Sequence, residues 1–196
     1  MKAESIVFAV AGMFFGVILG WVIGVQQAPR PAPVAAPAAQ AGDPAPVLDE
    51  ARVQALTTIV TNDPKNAGAA VQLGNTYFDA ERFAEAIKWY EQALQLEPGN
   101  PDTSTDLGVS YYYTGQVDRA LQQFETSLKL NPRHTKTLLN KGIVLAFGKQ
   151  DLTAASDAWK LVVEFAPGSE EAKLAQRALE GIATTGHPAG AAPPTN

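Results

Sequence analysis

The sequence predicts an all-α protein: a helical solenoid of three repeats with flanking capping helices, set behind an N-terminal transmembrane helix. Three observations carry this expectation. Pro64, Pro98, Pro132 and Pro167 recur at intervals of 34, 34 and 35 residues. Gly74, Gly108 and Gly142 keep the 34-residue interval in a different phase. Two residue types sharing one period mark an array of one repeated supersecondary unit. Residues 6–25, IVFAVAGMFFGVILGWVIGV, run for twenty positions without a charge.

At 1.5 Å per residue that run spans about 30 Å, the hydrocarbon thickness of a bilayer. A signal peptide has a shorter apolar core of roughly 7–15 residues, so the length favours an uncleaved anchor over 1–25. Trp21 falls toward the far end, in the layer that amphipathic rings prefer. Lys2 and the terminal amine precede the span and Arg30 follows it, a balance that favours a cytoplasmic N-terminus. The remainder then faces the periplasm of a bacterial cell. Gly12, Gly16, Gly20 and Gly24 share one helix face, the smooth surface that helix pairing in membranes uses. Glycine is also common in membrane helices generally, so pairing and plain anchoring both stay open.

Residues 26–47 hold six prolines and eight alanines and cannot build a core. In polyproline II they reach on the order of 65 Å, a spacer between anchor and repeats. Residues 48–64 read as a lone second helix whose Pro64 matches the later repeat-closing prolines. The repeats follow as 67–100, 101–134 and 135–169, each with two amphipathic helices. In the first, Leu73, Tyr77 and Ala80 form one apolar stripe; Phe83, Ala86, Ile87, Tyr90, Ala93 and Leu94 form the other. Neither stripe is buried alone, so each pair packs on the next. A glycine inside a helix costs roughly 1 kcal/mol against alanine, and its recurrence implies a neighbour too close for a Cβ. Ala86, Ala120 and Ala155 serve the same close approach. Each proline ends its helix by lacking an amide proton. Residues 169–185 open on Ser169 as an N-cap and present Leu174, Ala175, Ala178 and Leu179 on one face, a cap for the array. Residues 186–196 read as a disordered tail.

These residues resemble the tetratricopeptide repeat (TPR) family. Its Leu-Gly-x-x-Tyr stands as Leu73-Gly74-x-x-Tyr77 and Leu107-Gly108-x-x-Tyr111; its second-helix signature stands as Ala86, Tyr90 and Ala93, then Ala120, Phe124 and Ser127. The third repeat departs: Lys141 and Leu145 replace the leucine and tyrosine, and one residue is inserted between the helices. The family's early tryptophan is missing, with Ala70, Ser104 and Leu138 in its place. The resemblance implies a superhelix whose concave wall comes from the first helix of each repeat. Its groove positions are then Val71, Gln72, Asn75, Phe78 and Asp79; Thr105, Asp106, Val109, Tyr112 and Tyr113; Lys136, Leu139, Asn140, Ile143 and Phe147. Tyr111 is a packing position, and three consecutive tyrosines cannot share one core, which leaves Tyr112 and Tyr113 to the groove. The carboxylate clamp of chaperone-tail-binding members is not reproduced. Its positions hold Val71, Asn75, Asp106, Lys136 and Asn140, of which only Asn75 and Lys136 match.

Chemistry is sparse. The absence of cysteine removes thiolate catalysis, disulfides and cysteine metal sites, and the net charge of −5 argues against nucleic acid as a partner. His134 is a lone loop histidine, expected to be solvated. No phosphate loop, nucleophile–base pair, metal site or cofactor cradle appears, so no enzyme is expected. The implied function is a membrane-tethered module binding a partner polypeptide in its groove. Anchor, spacer and short array look similar to bacterial envelope TPR proteins, including those of cytochrome c maturation. The rival reading is a self-assembling scaffold, a homo-oligomer joined through the glycine face and the solenoid ends.

Overall fold

The computed structural model describes residues 46–190. The expected anchor, its Gly12, Gly16, Gly20 and Gly24 face and nearly all of the linker lie outside them. Among the described residues no helix is long and apolar enough to cross a membrane. Those residues form eight α-helices and no strand: α1 (Glu50–Asn62), α2 (Ala67–Asp79), α3 (Phe83–Leu96), α4 (Pro101–Tyr113), α5 (Val117–Leu130), α6 (Thr135–Ile143), α7 (Leu152–Phe165) and α8 (Glu170–Thr185). Repeats one to three are the pairs α2/α3, α4/α5 and α6/α7.

Local chemistry starts and stops these helices. The side chains of Asp49, Asn66, Asn100, Asp151 and Ser169 accept hydrogen bonds from amides three residues on, at 2.9–3.1 Å. Pro101 takes the first turn of α4, where its missing amide proton has no partner to lose. The turns within repeats pass through the left-handed region at Glu81 (φ 56°), Gly115 (φ 77°) and Gln150 (φ 57°).

Each first helix packs on its second through a ring laid over a glycine. A Cβ added to Gly74 would lie 2.5 Å from Tyr90, and one added to Gly108 would lie 2.5 Å from Phe124. At Gly142 the added atom would meet Trp159, with Cδ1 at 2.6 Å. The expected close neighbour is therefore an aromatic side chain, seated beside the small Ala86, Ala120 and Ala155. Tyr90, Phe124 and Trp159 are all but fully buried, and each ring contributes about 2–3 kcal/mol by leaving water. Trp159 also donates Nε1–H to the Leu139 carbonyl at 3.1 Å. Ala70, Ser104 and Leu138, in place of the family tryptophan, are buried.

The extra residue of repeat three is not in the loop between helices, where the sequence places it. It is absorbed in a π-helical turn, Val144–Gly148, that continues α6. In repeats one and two the chain leaves the first helix through Arg82 N–H to Tyr77 and Gln116 N–H to Tyr111, both 2.8 Å. In repeat three the matching bond runs from Asp151 N–H to Leu145 O at 2.9 Å, one residue longer. A π-turn inserts one residue without breaking the helix, which returns Trp159 to its glycine.

Past α8 the described residues continue through a capping turn. Gly186 is left-handed (φ 74°), and its amide donates to the Ile182 carbonyl at 3.0 Å, a glycine C-cap. Residues 187–190 then fold back over the buried Gly181, where an added Cβ would lie 2.6 Å from the His187 carbonyl and 2.7 Å from Ala189 Cβ.

Candidate peptide-binding surface

The first helices α2, α4 and α6 follow one another as a wall, joined by Phe78 to Tyr113 across α2 and α4 and by Lys136 to Asp106 across α4 and α6. Val71, Val109 and Ile143 are half-buried on it, and Phe147, on the π-turn, is 37% exposed. Asn75 is held in place because its Oδ1 accepts from the Tyr90 hydroxyl at 2.8 Å. Burial pushes the Tyr90 phenol well above its ordinary range, so it stays a donor. Asn140 donates to the Lys136 carbonyl at 2.8 Å. Thr76, which the sequence reading does not place on the wall, is buried and bonds back to the Gln72 carbonyl.

Four rings gather at one edge of this wall. Phe83 and Tyr113 stack at 4.4 Å with 11° between planes. Phe78 meets both edge-on, at 5.3 and 6.4 Å, and Tyr112 lies 5.8 Å from Tyr113. All four are half-buried. Tyr111 turns inward at 4% exposure, its hydroxyl bonded to Glu91 and its ring under the Arg119 guanidinium at 4.0 Å. Burial and the Glu91 carboxylate push its phenol up to about 12. Phe83 is the ring that sequence reasoning missed, because it begins a second helix and counts there as core.

Two groove assignments change, because Thr105 and Leu139 are both buried. Thr105 is fully buried and does not line the wall. It belongs to a hydroxyl cluster between repeats two and three. Thr105 and Ser127 donate to the Pro101 carbonyl at 2.7 and 2.9 Å, and both touch the Thr137 hydroxyl. His134, expected in solvent, joins this cluster: Nδ1 lies 2.6 Å from Thr137 Oγ1 and Nε2 lies 3.3 Å from Asp102. Carboxylate, imidazole and hydroxyl are the residue types of an acyl-transfer site, but Thr137 is fully buried and presents no oxygen to a substrate.

Lys136 is exposed but engaged. Its ammonium bonds Asp106 at 2.7 Å, bridging α6 to α4. Burial raises the Asp106 carboxyl above its ordinary value, and Lys136 works against that shift. The one cation that matches the carboxylate clamp is thus already paired inside the domain. Among the described residues no group of His, Asp or Glu is arranged to hold a metal ion.

Residues 74–115 match a family model described as TPR repeat, and residues 102–134 match one described as Tetratricopeptide repeat. Residues 135–169, with Lys141, Leu145 and the π-turn, fall outside both matches. No curated protein sequence matches the chain. Among solved structures it is similar to MamA, at 20% identity over 63% of this chain and 71% of that one, with a TM-score of 0.58. It is similar to the first TPR domain of human RPAP3, at 27% identity over 61% and 91%, with a TM-score of 0.55. A further likeness is the first TPR of Spaghetti (RPAP3) bound to the HSP90 peptide SRMEEVD, at 26% identity over 62% and 93%, with a TM-score of 0.55. Residues 74–134 are therefore recognised as tetratricopeptide repeats, within an all-helical TPR solenoid of eight helices.

Proposed function

We propose that this chain is a membrane-tethered adaptor of the bacterial envelope that holds a partner polypeptide on the wall of α2, α4 and α6. The apolar run 6–25 would anchor it, the Pro/Ala-rich segment would set its reach, and the repeats would face the periplasm. Architecture of this kind suits an assembly factor, and cytochrome c biogenesis is one process that would use it.

The observation that carries the reading is the row of half-exposed rings Phe78, Phe83, Tyr113 and Tyr112 beside the fixed amides Asn75 and Asn140. Rings give contact area at low conformational cost, and amides pair with a peptide backbone. A related TPR domain binds a peptide, which supports a polypeptide ligand. That peptide ends in acidic residues; here Asp106 occupies Lys136 and opposes them, so an apolar or aromatic segment is the better fit.

The test is affinity capture from detergent-solubilised native membranes, comparing wild type with Tyr112→Ala/Tyr113→Ala by mass spectrometry. A foreign polypeptide retained by wild type and lost from the variant is the expected result. Recovery of the chain alone, unchanged by the substitution, would favour a scaffold.

A further inference from the structure

The two ends of the described array are complementary halves of one repeat. First helices begin three residues after a closing proline, at Ala67, Pro101 and Thr135, and α8 begins at Glu170, three after Pro167. Among the described residues α8 is thus a first helix with no second helix behind it, and α1, closed by Pro64, is a second helix with no first. The α1 face shows this. Ala93, Ser127 and Val162, five residues before their prolines, are buried, whereas the matching Ile59 is 44% exposed. Arg52 stands where Ala86, Ala120 and Ala155 are fully buried.

The α8 face is covered instead by the chain's own backbone. Ten residues after the proline, Gly74, Gly108 and Gly142 meet the ring of their second helix; the matching Arg177 meets Gly190, whose added Cβ would lie 3.5 Å from Arg177 Cβ. Fourteen residues after it, Phe78 meets Phe83 of its second helix; the matching Gly181 lies under His187 and Ala189. His187 and Pro188 also line, together with Ala146, Phe147 and Leu152, a cavity of about 420 Å³. A glycine in the interior of α8 costs helix stability, and its gain is this contact.

We propose that residues 187–190 are a strap lying in the seat of the missing second helix, and that strap and Arg177 together close this end of the solenoid to α1 of a second copy. Without them α1 of one chain completes the repeat that α8 of another begins, a head-to-tail contact that propagates rather than closing. Arg177 adds to the block because it stands where a glycine receives the ring of its second helix; on the incoming helix that ring position is Leu56, and the neighbouring alanine position one turn away is Arg52, a like charge.

The test uses the full chain in mild detergent. Wild type is compared by sedimentation with a chain ending at Gly186 and carrying Arg177→Gly, and with that chain carrying Ile59→Arg as well. The open-ended chain is expected to gain mass with concentration beyond wild type, and Ile59→Arg to return it to the wild-type value. An open-ended chain that keeps the wild-type mass throughout overturns the proposal, as does association that survives Ile59→Arg. Should that variant lose its helix signal, Arg177→Cys/Gly190→Cys decides the seating of the strap. The spacing falls in the range a disulfide spans, and the chain has no other cysteine. Spontaneous bridging is expected; a pair that stays reduced under oxidising conditions overturns it.

Discussion

Gly108→Ala isolates the ring-on-glycine packing that spaces the helix pairs. The new methyl would sit 2.5 Å from Phe124 Cε1, 2.8 Å from Cδ1 and 3.2 Å from the Ala120 carbonyl. Ordinary carbon contacts lie near 3.5–4.0 Å, so the ring must retreat by about 1 Å. Phe124 is fully buried, and the retreat pushes it into packed neighbours. Overpacking of this size costs about 1–3 kcal/mol, from which alanine's better helix propensity recovers up to about 1 kcal/mol. A net loss of about 1–2 kcal/mol is expected, a fall in melting temperature of roughly 2–8 °C for a domain of this size. Gly68→Ala supplies the control. Gly68 is also helical, but an added Cβ finds nothing closer than Asn66 Oδ1 at 3.6 Å, so a gain of about 0.5–1 kcal/mol is expected. Urea denaturation followed by circular dichroism reads both. Phe124→Leu in the Gly108→Ala background should cost less than in wild type, with a coupling of about 1 kcal/mol. Equal stabilisation by the two alanines, or no coupling to Phe124, would show that the ring does not set the spacing.

Three further perturbations address other features. Gly115→Ala should cost about 1 kcal/mol by thermal melt although nothing lies within 4 Å of its added Cβ, because the cost is the left-handed backbone itself. Thr137→Val should cost about 1–3 kcal/mol by leaving Thr105, Ser127 and His134 short of a partner; adding Thr105→Val and Ser127→Ala should recover part of it, since an apolar cluster leaves no buried hydroxyl unpaired. Asp106→Asn tests the half-buried carboxylate. Its folded-state value is raised, so the folded protein binds more protons than the unfolded chain and Asp106 subtracts stability as pH rises through the carboxylate range. Melts from about pH 3 to about pH 7 should show the variant gaining on wild type as pH increases.

The architecture was legible because proline and glycine report backbone events that tolerate few substitutes. Pro64, Pro98 and Pro132 each end a helix, and Gly74, Gly108 and Gly142 each lie under a ring. The π-turn was not, because a 35-residue interval fixes the number of residues and not their hydrogen bonds. Leaving Asp151 bonded to Leu145 costs the sequence no recognisable motif. Thr105 was misplaced by a positional rule, although Ser127 in an alanine position was a signal that this inter-repeat seam is polar. His134 follows the same logic: three residues before Thr137, at the start of α6, it faces back onto that seam. Phe83 was hidden because a helix stripe does not reveal which of its members lies at the rim. Gly181 followed by Gly186 marked the strap, but composition alone reads such a segment as tail.

The most direct measurement is site-specific photo-cross-linking in native membranes from two positions of matched exposure. Phe147 is 37% exposed on the wall formed by the first helices, and Leu161 is 38% exposed on α7, a second helix of the outer layer. Benzoylphenylalanine at 147 should capture a foreign polypeptide, and the same group at 161 should not. Equal capture from both positions, or capture from 161 alone, would contradict binding on the wall of α2, α4 and α6.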